Sequence, residues 1–360
     1  MSERSGSTTD VYDQLCACLR DASPAPEAVS TDVLSTARLH RVHLVLANRL
    51  QLASLAGELR DAAVVEALRA NELGAVLAGM AAAGVRPIVL KGAALARTHY
   101  PRPELRPRGD TDLMIPASAR ALISRTLIAL GYSRMSEVDG EVAFGQFHFH
   151  KHDRHGLFHA LDIHWKVSNV RVFADVLTYE ELARDAMAVP SLGPNAWSAS
   201  PAHALLLACI HRVAHHGDSN HLLWLLDVHL LDRSMTACER QSFTQLASER
   251  QVRAVCARSL ELAQAAFGGV DAGWLAVLSA ASAVREPSAA FIGGALRQVD
   301  ILRADLTATS QWRQRLQLLR EHVFPAASYM RARYPRWPAA LLPIAYVHRM
   351  VRGAPRWFRR

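Results

Sequence analysis

No apolar run in this 360-residue sequence approaches the roughly 18–20 residues needed to cross a bilayer. The nearest candidates, Gly74–Val85 and Ala339–Val347, are too short and read as core helices. The opening stretch, Met1–Asp10, is polar and Ser/Thr-rich and lacks the apolar region of a signal peptide, so the expected location is the cytoplasm. Cysteine is scarce: Cys16, Cys18, Cys209, Cys238 and Cys256 are odd in number and lack Cys-x-x-Cys spacing. That excludes a disulfide framework and a zinc knuckle, and leaves small hydrophobes in a reducing compartment. There is no internal repeat and no low-complexity linker. What remains is an ordinary globular composition, half apolar and about a fifth charged, long enough for two or three domains.

The formal charge of +8 is compatible with anionic partners such as nucleotides, nucleic acid or a membrane surface. Much of the excess sits near the end, in Arg331, Arg333, Arg336, Arg349, Arg352, Arg356, Arg359 and Arg360. A solvated basic helix face and tail is the favoured reading, and nucleic acid or lipid contact the other.

Residues 10–80 read as helix, with Leu52, Leu55 and Leu59 at i, i+3, i+7 spacing. Gly84 ends that run, and Arg86–Leu90 is a short buried-strand candidate, followed by a helix over Ala93–Tyr100. A Pro/Arg-rich loop, Pro101–Arg108, leads into a second strand, Gly109–Ile115. Pro116 should open a helix running to about Leu130, capped by Gly131. Ala143–His152 and Leu157–Lys166 read as a hairpin. From Ser200-Pro201 the pattern is helical, with a stop at Gly217, a helix over His221–Arg233, and further helices within 236–298, 309–321 and 338–352. The expected organisation is a helical region at 1–80, an α/β core at 81–190, and a helical domain with a basic tail at 196–360.

In a strand, residues i and i+2 share a face, so Asp110 and Asp112 point together. Two such carboxylates repel by roughly 4 kcal/mol at about 4 Å and an effective dielectric near 20, and a hard divalent cation relieves this. In Phe158–Trp165, alternation sends Leu161, Ile163 and Trp165 to a core face and Asp162 and His164 to the other. If this strand lies beside the first, three carboxylates converge. They could then hold two Mg2+ (or Mn2+) ions, one orienting a triphosphate and one activating an attacking hydroxyl. Upstream, Gly92 between strand and helix lets backbone amides approach a phosphate, and Lys91 adds a cation there. Arg106 is favoured for a site role, and Arg108 reads as solvated.

The run Ile88-Val-Leu-Lys-Gly92, Tyr100-Pro101, Arg106-x-x-Gly-Asp-x-Asp-Leu-Met-Ile115 and Leu161-Asp-Ile-His-Trp165 resembles the poorly characterised bacterial nucleotidyltransferases of the DNA polymerase beta-like superfamily. The resemblance implies an α/β (α+β) fold with a small nucleotidyltransferase-type mixed sheet between helical regions. It implies that Asp110 and Asp112 are the metal-binding pair and Asp162 the third carboxylate, with Gly92 as the phosphate-loop glycine. Lys91, Arg106 and Gly109 would complete the nucleotide side. Lys91-Gly92 replaces the superfamily's usual Gly-Ser, and the gap from Gly92 to Asp110 is longer than in most members; the narrower bacterial family shares both departures. Ala204–Asp227 is similar to that family's helical segment, and Phe324-Pro325 with Leu341–Arg352 to its C-terminal end. The implied reaction moves a nucleoside monophosphate from an NTP, ATP by default, to an unknown acceptor, releasing pyrophosphate. An inactive nucleotide-binding scaffold or sensor is the alternative.

Twelve histidines crowd into 148–229. His148, His150 and His152 share a strand face, and His150 and His164 are candidates for substrate contact or proton transfer. His211 and His215, at i, i+4 spacing, could bind zinc with Asp227, contact substrate, or form a buried polar network with Asp227 that ties the helices to the core. A His/Asp metal phosphohydrolase is a third class, but its adjacent His-Asp pair exists only as His152-Asp153, in an expected turn.

Overall fold

The computed structural model describes residues 8–20, 29–135, 144–280, 285–294 and 296–358; Ala143, the first seven residues, Arg359 and Arg360 lie outside the described residues. Four helices open the chain: α1 (Thr8–Leu19), α2 (Thr31–Leu39), α3 (His43–Leu50) and α4 (Ala56–Ala82). The Ser30 hydroxyl caps α2 by accepting from the Val33 amide, one of the donors a helix start leaves open. Gly84, at φ +77, takes the left-handed turn that ends α4 and aims the chain into the sheet.

That sheet is mixed and seven-stranded: β1 (Ile88–Val89), β2 (Thr111–Met114), β3 (Ser133–Arg134), β4 (Gln146–His152), β5 (Phe158–His164), β6 (Met187–Ala188) and β7 (Trp197–Ser198). Its order is β3-β4-β5-β2-β1-β7-β6. The strands expected from the sequence are present, trimmed at both ends except for β4, which closes at His152 as expected. β3, β6 and β7 were not expected: two residues are too few for alternation to register. Strand β2 runs antiparallel to β1 and parallel to β5, and β4 runs antiparallel to β5. The β4–β5 turn is closed by Asp153, whose Oδ1 accepts from the amides of His155 and Leu157.

Helix α5 (Lys91–Thr98) starts two residues earlier than expected, and α6 (Arg120–Ala129) starts later. The reason for the delay is that Pro116 precedes a 3-10 turn at Ala117–Ala119 rather than an α-helix. Gly131, at φ +85, follows the end of α6 as expected. Leu113, Ile115, Leu161 and Ile163 point to one face of the sheet, where Leu77 and Met80 of α4 and Ile123 and Leu127 of α6 cover them. Asp112, Asp162 and His164, at alternate positions, therefore share the other face.

Two short helices, α7 (Arg171–Ala174) and α8 (Tyr179–Arg184), link β5 to β6. After β7 come α9 (Pro201–Ala214), α10 (Leu222–Ser234), α11 (Ala237–Glu249), α12 (Arg253–Phe267), α13 (Ala272–Leu278), α14 (Gln298–Ala308), α15 (Trp312–Val323), α16 (Ala327–Arg333) and α17 (Leu342–Phe358). Ser200 and Pro201 open α9 as expected, whereas α9 ends at Ala214, before the expected stop at Gly217. Leu206, Ile210, Leu223, Val228 and Leu260 from these helices form a second core with Leu15 and Leu46. Ile88 and Met114 also join it, so this helical mass is seated on the sheet face that carries the carboxylates. Among the described residues no helix is long and apolar enough to cross a membrane.

Candidate active site

The parallel pairing of β2 with β5 sets Asp112 directly beside Asp162 and Met114 beside His164. Ligand atoms of Asp112, Asp162 and His164 lie within 4.8 Å of one another, the group among the described residues able to hold a metal ion. Asp112 Oδ1 is 2.7 Å from Lys91 Nζ and 2.8 Å from His164 Nε2. Burial pushes the Asp112 carboxyl up, but the Lys91 ammonium and the His164 contact outweigh it and hold the group far below the usual carboxylate range. Asp110 stands one residue before β2 and is exposed. Its carboxyl is raised, first by desolvation from its surroundings and then by the charges of Asp112 and Asp162. Asp110 thus feels both other carboxylates, while His164 rather than Asp110 completes the tight cluster.

Lys91 opens α5 with φ +49, a left-handed conformation that costs a residue with a side chain about 1–3 kcal/mol. Its ammonium is carried to Asp112 from there. Next to it, Gly92 leaves room for an arginine: a Cβ there would lie 3.0 Å from Nη1 of Arg106 and 3.2 Å from its central carbon. Arg106 is buried and grips Asp227 of α10 through Nε at 2.9 Å and Nη2 at 2.6 Å, while its Nη1 donates to the Pro107 carbonyl. The Tyr100 hydroxyl donates to the same Asp227 at 2.8 Å. Arg108 departs from expectation, being buried rather than solvated. It pairs with Glu66, which also takes Arg97, and donates to the Thr111 hydroxyl. The cause is α4, which brings a buried acid to this point from 42 residues upstream. Gly109 is exposed with no atom crowding its missing Cβ.

The histidines divide by position. His164 reaches Asp112; His150 lies opposite Ala160 and its ring stacks by Phe158, outside the cluster. His148, not singled out from the sequence, is the one opposite Asp162, with Nε2 3.3 Å from the carboxylate. Parity placed it on the right face; only the register could select it. His211 and His215 stack on each other, His211 bonds His216 at 2.9 Å, and His215 meets the Ser168 hydroxyl at 3.3 Å. Burial, reinforced by Lys91, holds His211 well below its ordinary range. The zinc reading of His211, His215 and Asp227 fails, because Asp227 is committed to Arg106 and Tyr100. The expected buried network is present around Asp227 without the two histidines. The His152-Asp153 pair likewise does not act as a metal motif, since Asp153 is taken up by its turn and by His159 at 3.0 Å.

A cavity of about 360 Å³ lies between α5, α9, α10 and β7. Lys91, His211, Arg106 and Asp227 line one part of it, and Leu95, Ala204, Leu207 and Trp224 supply apolar wall.

No curated protein matches this chain. A family model described as "Uncharacterised nucleotidyltransferase" matches residues 27–268, more than half of the chain and every residue of the cluster described above. The chain belongs to that nucleotidyltransferase family, and with it to the enzymes that transfer phosphorus-containing groups.

Proposed function

We propose that this protein moves a nucleoside monophosphate from a nucleoside triphosphate, ATP by default, to an acceptor in the cytoplasm, releasing pyrophosphate. The observation that supports the reading is the side-by-side register of Asp112 and Asp162, with Asp110 just upstream and Lys91 2.7 Å from Asp112. The donor chemistry, the carboxylate oxygens of Asp112 and Asp162 with the His164 imidazole, fits a hard divalent cation such as Mg2+ or Mn2+, and Asp110, one residue before β2, would add a third carboxylate to it. Such an ion supplies neutralisation of triphosphate charge and polarisation at phosphorus.

The remaining work falls to the chain itself. The acceptor oxygen forms its bond to the α-phosphorus as the bond to the bridging oxygen breaks, and the electron pair leaves on pyrophosphate. When the acceptor is a hydroxyl, Asp162 takes its proton, with His148 3.3 Å away to pass it outward. Lys91 steadies the triphosphate and exposed Gly109 lets it approach β2, while Gly92 instead makes room for Arg106. Arg106, with its nitrogens engaged, acts by fixing α5 against α10 rather than by binding phosphate.

The cavity beside Lys91 suits the acceptor. Its walls are largely apolar and its Arg106 and Asp227 charges answer each other, which favours a small molecule with an apolar body over a polyanion. The test is incubation with α-labelled triphosphates and cell extract, followed by identification of the labelled product. Wild type should transfer label, and Asp112→Asn should lose about 100-fold or more while keeping its circular dichroism spectrum. An Asp112→Asn protein that liberates pyrophosphate as fast as wild type would refute the assignment.

A further inference from the structure

The chain's charge is unevenly placed. From residue 322 to the end there are eight arginines and no aspartate or glutamate, so the remaining 33 basic and 33 acidic residues of the chain cancel. The same stretch holds α17, which is mounted with its apolar side outward. Ala345 is buried, Tyr346 donates its hydroxyl to the Pro325 carbonyl at 2.6 Å, and Arg349 donates to the His322 carbonyl at 2.9 Å. These contacts fix one side of α17 to the protein. Ile344, Val347 and Val351, at i, i+3, i+7 spacing, form a stripe on the other side and are 55%, 55% and 68% exposed. Met350 and Leu341 are exposed as well, and so is Trp337, whose ring lies 5.4 Å from that of His348 on the same helix.

A helix that buries polar and small residues while showing its aliphatic ones to water is inverted for a soluble protein. Two independent features meet here, an exposed apolar stripe on α17 and a surrounding stretch rich in arginine and free of acids: Arg352 on α17, Arg331 and Arg333 on α16, and Arg336 next to Trp337 are all exposed. We propose that α17 and its surroundings dock on an anionic lipid bilayer, the stripe entering the headgroup region and the arginines meeting acidic headgroups. Nucleic acid would use the arginines but has no need of the stripe. A second copy would bring eight arginines against eight more. The proposal does not depend on the catalytic reading, since α17 lies beyond the matched residues 27–268.

The experiment is co-sedimentation of the full chain with vesicles of phosphatidylcholine alone or mixed with about one third phosphatidylglycerol, a proportion chosen so that the arginines meet charge within a Debye length. Wild type should bind the mixed vesicles at least tenfold more tightly than the neutral ones, and lose that preference as salt is raised. V347E/V351E should abolish binding with an unchanged thermal melt, since both sites already face water. R333Q/R336Q/R352Q should weaken it at least tenfold. Failure of wild type to bind mixed vesicles overturns the proposal, as does equal binding to neutral ones. Tight RNA binding that V347E/V351E leaves intact, without vesicle binding, would assign the surface to nucleic acid. A dimer dissolved by V347E/V351E, again without vesicle binding, would assign it to a second copy.

Discussion

Lys91 illustrates how a single residue sets the electrostatics of the site. Its ammonium lies on a buried aspartate that is itself beside another carboxylate, and breaking such a pair from one side costs about 3–5 kcal/mol when solvent is fully excluded. Lys91→Met should therefore destabilise the fold at pH 7 by roughly 1–3 kcal/mol, the partial opening of the site taking up the rest. Millimolar Mg2+ should raise the melting temperature of Lys91→Met more than that of wild type, because only there is Asp112 without its ammonium. An equal rise in both proteins would count against Asp112 as a metal ligand. The arrangement of these residues was partly legible in the sequence. Carboxylates at i and i+2 in an apolar strand are readable, and so is the alternation that turns Asp162 and His164 to one face. His148 was not singled out, because alternation fixes the face of a side chain and leaves its neighbour to the register.

At the scale of elements, α5 and α10 are clamped together by Arg106, Asp227 and Tyr100, with Gly92 providing the space. Asp227→Ala leaves a buried guanidinium without its partner and should cost about 3–5 kcal/mol in urea denaturation. Gly92→Ala forces the same guanidinium aside and should cost roughly 1–3 kcal/mol. The double variant should lose less than the two costs combined, since both act on one clamp; strict additivity would show that they do not. The clamp could not be read beforehand. Arg106 and Asp227 are 121 residues apart, and no local pattern links them. Gly92 was read for phosphate, although its neighbour is an arginine side chain. Long elements, by contrast, were visible: α9 from Ser200-Pro201, α10 almost to the residue, and the end of α4 at Gly84. The part of the sheet beyond the expected core, β7, and the packing of α4 on the sheet both cross the divisions drawn at 80 and 190.

Over the whole molecule, histidines make the fold sensitive to acid. Burial, aided by His221, holds His40 at about 4, and burial, aided by Lys91, holds His216 at about 4. Both serve as neutral rings: His40 Nδ1 accepts from the Leu222 amide, tying α2 to α10, and His216 faces the Nε2 of His211. Because the unfolded chain takes up these protons first, near pH 6.5, their contribution is present above that pH and is lost as pH falls toward 4. Each should account for roughly 1–3 kcal/mol across this window, discounted for partial exposure. Urea melts at pH 7.5, 6 and 4.5 should show the decline, and His40→Gln should flatten it; a curve unchanged by that substitution would remove His40 from the account. None of this was foreseeable from the density of histidine, which gives no indication of which rings the helices enclose.

The arginines gathered past residue 321 carry a further consequence for handling the protein. A chain cut at Glu321 would hold equal numbers of acids and bases, so its migration in an electric field at neutral pH would fall to almost nothing. Mutual repulsion between copies would vanish with it, and the trimmed particle should clump at concentrations where the full chain stays dispersed.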